Sequence, residues 1–177
     1  MTLALEEAAP GFALPDTEGR EHSLTAADGA PATVVVFTCN HCPYALAWHE
    51  RILGVARDYA DQGVRFLAVN PNDAERYPAD SYEAMKRRVR EEGGWPLPYL
   101  RDESQEVARA FGAKTTPDVF VLDGELRLRY RGAPDADYRD QSQNAAWLRE
   151  ALDEVLAGQS PKRPETKPVG CSVKWRP

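Results

Sequence analysis

The apolar run Thr33-Val34-Val35-Val36-Phe37 leads almost directly into Cys39-Asn40-His41-Cys42-Pro43, and from Tyr44 to Tyr59 the chain is amphipathic. A strand that delivers two cysteines to the first turn of a helix leaves few folds open. One sulfur then lies near unpaired backbone N–H groups at the positive end of the helix dipole, which lowers a thiol pKa and makes a nucleophile. The spacing also lets the two cysteines close a disulfide. The competing reading is half of a zinc site, since CxxC is a metal spacing as well. A closed zinc site needs two more ligands, and the chain offers no second CxxC and no paired histidines. Reversible dithiol–disulfide chemistry is therefore the favoured reading.

The chain has 177 residues, 42% of them hydrophobic, enough for a single domain with a sizeable core and no need of disulfide staples. Three cysteines, an odd number, do not make a secreted framework. With no signal-like start and no apolar run of membrane-spanning length, a soluble cytoplasmic protein without a membrane partner is expected. A net charge of −6 argues against nucleic acid as a partner. The charge is uneven: residues 158–177 carry Lys162, Arg163, Lys167, Lys174 and Arg176 against Glu165 alone, a net of +4 on a body of −10. The expected division is a domain over 1–157, including an N-terminal hairpin, and a Pro-spaced tail over 158–177 packed back on it.

Apolar runs and amphipathic segments alternate. Phe12–Leu14 and His22–Leu24 read as a hairpin, Thr33–Phe37 and Val64–Val69 as strands, and Cys42–Tyr59 as the helix between them. Ser81–Glu92 reads as a helix with Ser81 as N-cap, and Ser104–Phe111 as a shorter one ended by Gly112. Val119–Leu122 and Leu126–Tyr130 flank Asp123-Gly124, a hairpin signal, and Ser142–Leu156 is the last helix. This pattern predicts an α/β fold with a central mixed sheet flanked by helices. Lys86-Arg87-Arg88-Arg90 reads as a solvated helix face. His22 and His49 read as ordinary histidines, and Trp95 as either groove lining or loop packing.

Pro117 precedes Asp118-Val119-Phe120-Val121, so it belongs at the first position of a strand or at a bulge. It lies 75 residues after Cys42. Together with the CxxC, this makes the chain similar to the thioredoxin superfamily and, within it, to the peroxiredoxin-like branch of alkyl hydroperoxide reductases and thiol-specific antioxidants. It resembles a bacterial group there through Phe37-Thr38-Cys39-Asn40-His41-Cys42-Pro43-Tyr44, Val69-Asn70-Pro71-Asn72-Asp73, Tyr77-Pro78-Ala79-Asp80-Ser81-Tyr82-Glu83, Thr116-Pro117-Asp118 and Gly170-Cys171-Ser172-Val173-Lys174-Trp175. The resemblance implies a thioredoxin-like fold, the CxxC as redox centre and Pro117 as a cis-proline facing it. Two departures stand out. Thr33 occupies the place of thioredoxin's buried acid, and the region of the peroxiredoxin arginine reads Thr115-Thr116-Pro117, which leaves a peroxide oxyanion without its cationic partner.

The expected activity is thiol–disulfide exchange by Cys39 and Cys42, with antioxidant activity as the branch implies. Cys39 is expected to be the exposed attacking thiolate and Cys42 the resolving thiol. Asn40, His41, Pro43, Thr116 and Pro117 are expected to support the site, with His41 tuning the couple and the Thr116 backbone aligning a client's extended chain. Cys171 is expected to be an auxiliary thiol outside the main couple. No dissociable cofactor or metal is expected. The partners are a protein disulfide or dithiol and an electron donor such as a thioredoxin-type protein or glutathione. The alternatives are a thiol peroxidase, with Cys42 peroxidatic and Cys39 resolving, and a carrier of a soft metal through the CxxC. The sequence does not set the oligomeric state.

Overall fold

The computed structural model describes residues 2–25 and 28–177. Strands β1 (Phe12–Pro15) and β2 (Glu21–Leu24) form a leading antiparallel hairpin. The central sheet has five strands in the order β5-β4-β3-β7-β8: β3 is Ala32–Phe37, β4 Arg65–Asn70, β5 Tyr99–Arg101, β7 Asp118–Asp123 and β8 Leu128–Gly132. β3, β4 and β5 run parallel, while β7 is antiparallel to both β3 and β8. Helix α1 (Pro43–Tyr59) makes the crossover from β3 to β4. Helices α2 (Tyr82–Glu91), α3 (Glu106–Phe111) and α4 (Ala146–Leu156) complete the layers. A two-residue strand β6 (Thr115–Thr116) pairs with β9 (Cys171–Ser172) from the tail.

Every residue of β3 is buried, as its β-branched composition demands of a strand covered on both faces. Alternation sorts its side chains. Val34 and Val36 join Val119 and Val121 of β7 against Trp48, Ile52 and Val55 of α1 and Leu148 and Leu152 of α4. Val35 and Phe37 face the other way with Leu67, Phe111 and Phe120. Phe37, Phe111 and Phe120 pack edge to face at centroid separations of 5.4–5.6 Å. Truncating Phe37 to Ala would remove the centre of that triad at about 3–5 kcal/mol.

A buried ion pair locks α1 to the segment leading into α4. Arg51 Nη1 donates to both carboxylate oxygens of Asp135 at 3.0 and 3.1 Å, and Trp48 Nε1 and the Ala145 N–H donate to the same carboxylate at 2.9 Å. Nη1 also donates to Asp137 O, and Nη2 donates to Tyr138 O and Asp140 O. A pair with this many partners holds the α1–α4 layer in one register.

Two helices start later than the periodicity predicts. Gln105 takes φ +66°, and its side-chain amide donates to Pro71 O and Lys174 O, so α3 begins at Glu106 instead of Ser104. Ala145 takes φ +55° to place its N–H on Asp135, and Asp140 holds Ser142 in a turn, so α4 begins at Ala146 instead of Ser142. The hairpin at Asp123 is also wider than predicted. The Asp123 carboxylate accepts from the N–H groups of Glu125 and Arg127, Leu126 takes φ +63°, and β8 begins only at Leu128.

Candidate active site

The CxxC loop sits between the end of β3 and the start of α1. The Thr38 N–H bonds Val69 O at 2.8 Å, carrying the pairing one residue past β3 before the chain turns. Cys42 is the N-cap of α1, with extended φ/ψ of −76° and 125°, and its carbonyl accepts the first helical bond from Leu46 N–H. Pro43 follows at the first helical position, where a missing N–H costs nothing and a fixed φ helps.

Both sulfurs converge on one residue. Cys39 Sγ lies 3.2 Å from Thr116 Oγ1, and the Cys42 thiol donates to Thr116 O at 3.2 Å. The Thr116–Pro117 peptide is cis. Cys39 is 1% and Cys42 0% exposed, so the expectation that Cys39 stands open to solvent is corrected. The tail closes over the pair. Thr116 pairs with Cys171 and Thr115 with Ser172, so the backbone edge expected to take a client's extended chain is already occupied.

The loop's polar side chains meet a single buried carboxylate. Asp80 Oδ1 accepts from Asn40 N–H at 2.6 Å and from Asn70 Nδ2 at 3.2 Å, and Oδ2 accepts from Asn72 Nδ2 at 3.0 Å. His41 Nδ1 stands 2.5 Å from Asp80 Oδ2, with the His41 ring stacked on Tyr77 at 5.6 Å. Asn40 is fixed at its other end too: its Nδ2 donates to Ala79 O, and its Oδ1 accepts from Tyr99 OH and Arg88 Nη1. Arg88 also donates to Cys39 O at 3.2 Å, so this member of the basic run is part of the site's support and not simply a solvated face. His49 pairs with Glu92 at 2.8 Å, and Trp95 stacks on Tyr99 behind the loop.

Neither Asp80 nor Arg88 stands out in the sequence as a site residue. Asp80 falls in a polar loop, at the end of a 3-10 turn over Pro78–Asp80, where nothing in periodicity marks a buried acid. Its presence in one of the matched segments was the signal available.

The environment separates the two thiols. The Cys42 thiol is lowered to about 4, first by its hydrogen bond with Cys39 and then, against the cost of burial, by the Cys171 thiol and the backbone N–H groups of Ala45 and Cys171. The Cys39 thiol is pushed up by the same bond to Cys42, by burial and by the negative charge of Asp80. A helix N-terminus for one sulfur and a buried carboxylate for the other point the same way. Both favour ionisation at Cys42 over Cys39, and they act against the Thr116 carbonyl, which accepts from the Cys42 thiol.

Cys39, His41 and Asp80 place a sulfur, a nitrogen and an oxygen within 4.8 Å of one another. A soft ion drawn to Cys39 would have to compete with the amide donors already on Asp80. Among the described residues no helix is long and apolar enough to cross a membrane.

Comparison with known proteins agrees with this architecture. The thiol-disulfide oxidoreductase ResA of Geobacillus thermodenitrificans is 29% identical over 129 residues, covering 72% of this chain and 68% of that protein. The crystal structure of an uncharacterized conserved protein from Geobacillus kaustophilus superposes with a TM-score of 0.92 at 40% identity, over 99% of this chain and 94% of that one. A hypothetical protein from Sinorhizobium meliloti 1021 superposes with a TM-score of 0.91 at 37% identity, over 99% and 97%. The fold is thioredoxin-like, as the sequence resemblance implied. Residues 5–131, most of the chain and all of the CxxC and cis-proline elements, match the AhpC/TSA family, and the protein is a member of it.

Proposed function

We propose that this protein is a thiol–disulfide oxidoreductase that cycles Cys39 and Cys42 between dithiol and disulfide. The observation that carries the reading is the fixing of both sulfurs on Thr116, one on its hydroxyl and one on its carbonyl, at the start of α1. In this reading the two cysteines exchange the roles expected from the sequence, with Cys42 attacking and Cys39 resolving. A client reaches the buried Cys42 when β9 is displaced from Thr116; the Cys42 thiolate then attacks one sulfur of the client disulfide, a Cys42–client disulfide forms, and the other client sulfur leaves as a thiolate. Bonding removes the charge on Cys42, and with it the hydrogen bond that held the proton on Cys39. Cys39 then passes its proton toward the His41–Asp80 pair and attacks Cys42 Sγ. The Cys39–Cys42 disulfide closes and the second client thiolate departs. A protein dithiol or glutathione supplies the two electrons that reset the pair.

Turnover of a protein disulfide such as insulin, with Cys39→Ser and Cys42→Ser beside the wild type, tests this. Wild-type turnover and near-complete loss in Cys42→Ser are expected. Full activity in Cys42→Ser would overturn the assignment. A second reading is supported by the Cys42–Pro43 junction at a helix start and by the family: reduction of a peroxide by the Cys42 thiolate. Peroxide consumption in the same preparations separates the two. Faster turnover of peroxide than of disulfide would put the peroxidase first.

A further inference from the structure

We propose that Cys171 is a third redox thiol, held by β9 in the place a client cysteine would take, and that a Cys42–Cys171 disulfide carries electrons between the buried pair and an external thiol. This rests on the oxidoreductase reading above.

Three features of the structure support it. First, the tail is fastened on both sides of Cys171. Upstream, Thr166 bonds Arg131 O, Ala133 N–H and Tyr130 OH. Downstream, Val173 N–H bonds Lys114 O, Asp73 N–H bonds Lys174 O, and Lys174 N–H bonds Asn72 Oδ1. The strand is thus a fixed wall of the site. Second, Gly170 lets that wall come close: a methyl group there would lie 2.3 Å from Thr116 O and 2.8 Å from Thr116 C. Only glycine permits this approach, and it sets Cys171 opposite Thr116, the residue both other sulfurs touch. Cys171 packs against the cluster formed by Cys39, Cys42 and Ala45. Third, Cys39 and Cys42 are essentially sealed, whereas Cys171 is partly exposed. With β9 docked, it is the cysteine of the three that a thiol in solution can meet.

The chemistry balances with glutathione as the external thiol. Cys171, deprotonated, attacks Cys42 Sγ of the Cys39–Cys42 disulfide; the Cys42–Cys171 bond forms and Cys39 leaves as a thiolate that takes up a proton. A glutathione thiolate then attacks the exposed Cys171 Sγ and expels Cys42, the better leaving group because its thiolate is the more stabilised. A second glutathione attacks the glutathione sulfur of that mixed disulfide, releasing glutathione disulfide and the Cys171 thiolate. Two glutathione thiols are oxidised and the protein gains two electrons and two protons.

The test uses the full chain. Cys39→Ser, reduced and then treated with a thiol oxidant such as diamide, is mapped under non-reducing conditions by mass spectrometry. A Cys42–Cys171 linkage within one chain is expected as the main product, and Gly170→Ala in the same background is expected to reduce it. In parallel, Cys171→Ser is expected to oxidise to the Cys39–Cys42 disulfide like wild type but to lose most of its rate of re-reduction by glutathione. Its β9 pairing is through the backbone, so the tail remains docked. Absence of the Cys42–Cys171 linkage, or wild-type re-reduction by glutathione in Cys171→Ser, overturns the proposal. A single turnover of insulin by the pre-reduced protein needs no re-reduction, so measured that way the oxidoreductase reading stands or falls separately.

Discussion

At the scale of single residues, the charge arrangement around Cys42 fixes the reactivity of the site. Because its thiol is lowered from 9.0 to about 4, the ultraviolet absorbance of one thiolate is expected to appear with a midpoint near pH 4 in the reduced protein and to be missing from Cys42→Ser. Linkage gives the stability the same sign. Between about pH 4 and 9 the unfolded chain holds a proton on Cys42 that the folded chain has released, so the stability from this group is complete above 9 and lost as pH falls through 4. Cys39, raised when folded, acts in reverse above its ordinary value, so stability turns down again beyond pH 9. Urea unfolding across this range, compared with Cys42→Ser, is the check; a flat difference would mean that Cys42 is protonated when folded. The sequence showed the two cysteines, the proline and the histidine between them. It did not show which cysteine ionises, because that depends on Asp80 and Cys171, which the fold brings in from 38 residues beyond Cys42 and from the chain terminus.

At the scale of elements, legibility follows burial. The runs over β3, β4 and β7 are apolar because both faces of the sheet are covered, and they were readable to within a residue or two. The starts of α3 and α4 were not, since Gln105 and Ala145 leave the helical region to satisfy partners distant in sequence. The same logic makes Asp135 a strong point. Asp135→Ala strands the buried Arg51 guanidinium and frees Trp48 and Ala145, and is expected to cost about 3–5 kcal/mol. Denaturant unfolding measures it, and a loss below about 1 kcal/mol would show that water takes the carboxylate's place.

At the scale of the whole molecule, a five-stranded sheet carries the redox loop at one end, and the basic tail crosses that end and binds on either side of it. Trypsin can cut this stretch after Lys162 and after Lys174, since Arg163 and Lys167 precede prolines, and native protein is expected to resist cleavage there for as long as the body resists. Early release of the last residues would show that the strand lifts. The charge asymmetry and the Gly-Cys-Ser segment hinted at a docked tail, but which edge it covers depends on pairing at long range, which no local pattern encodes. The pairing of β9 also has a kinetic consequence. A thiol tethered beside Cys42 acts at an effective concentration of millimolar order or higher, whatever the surrounding thiol pool. Covalent adducts with clients are then discharged from within as fast as they form, by Cys39 or by Cys171. Removing Cys39 alone, the usual way to trap such adducts, is expected to recover few of them, whereas Cys39→Ser combined with Cys171→Ser leaves Cys42 with no internal escape and makes clients visible as stable conjugates on non-reducing gels.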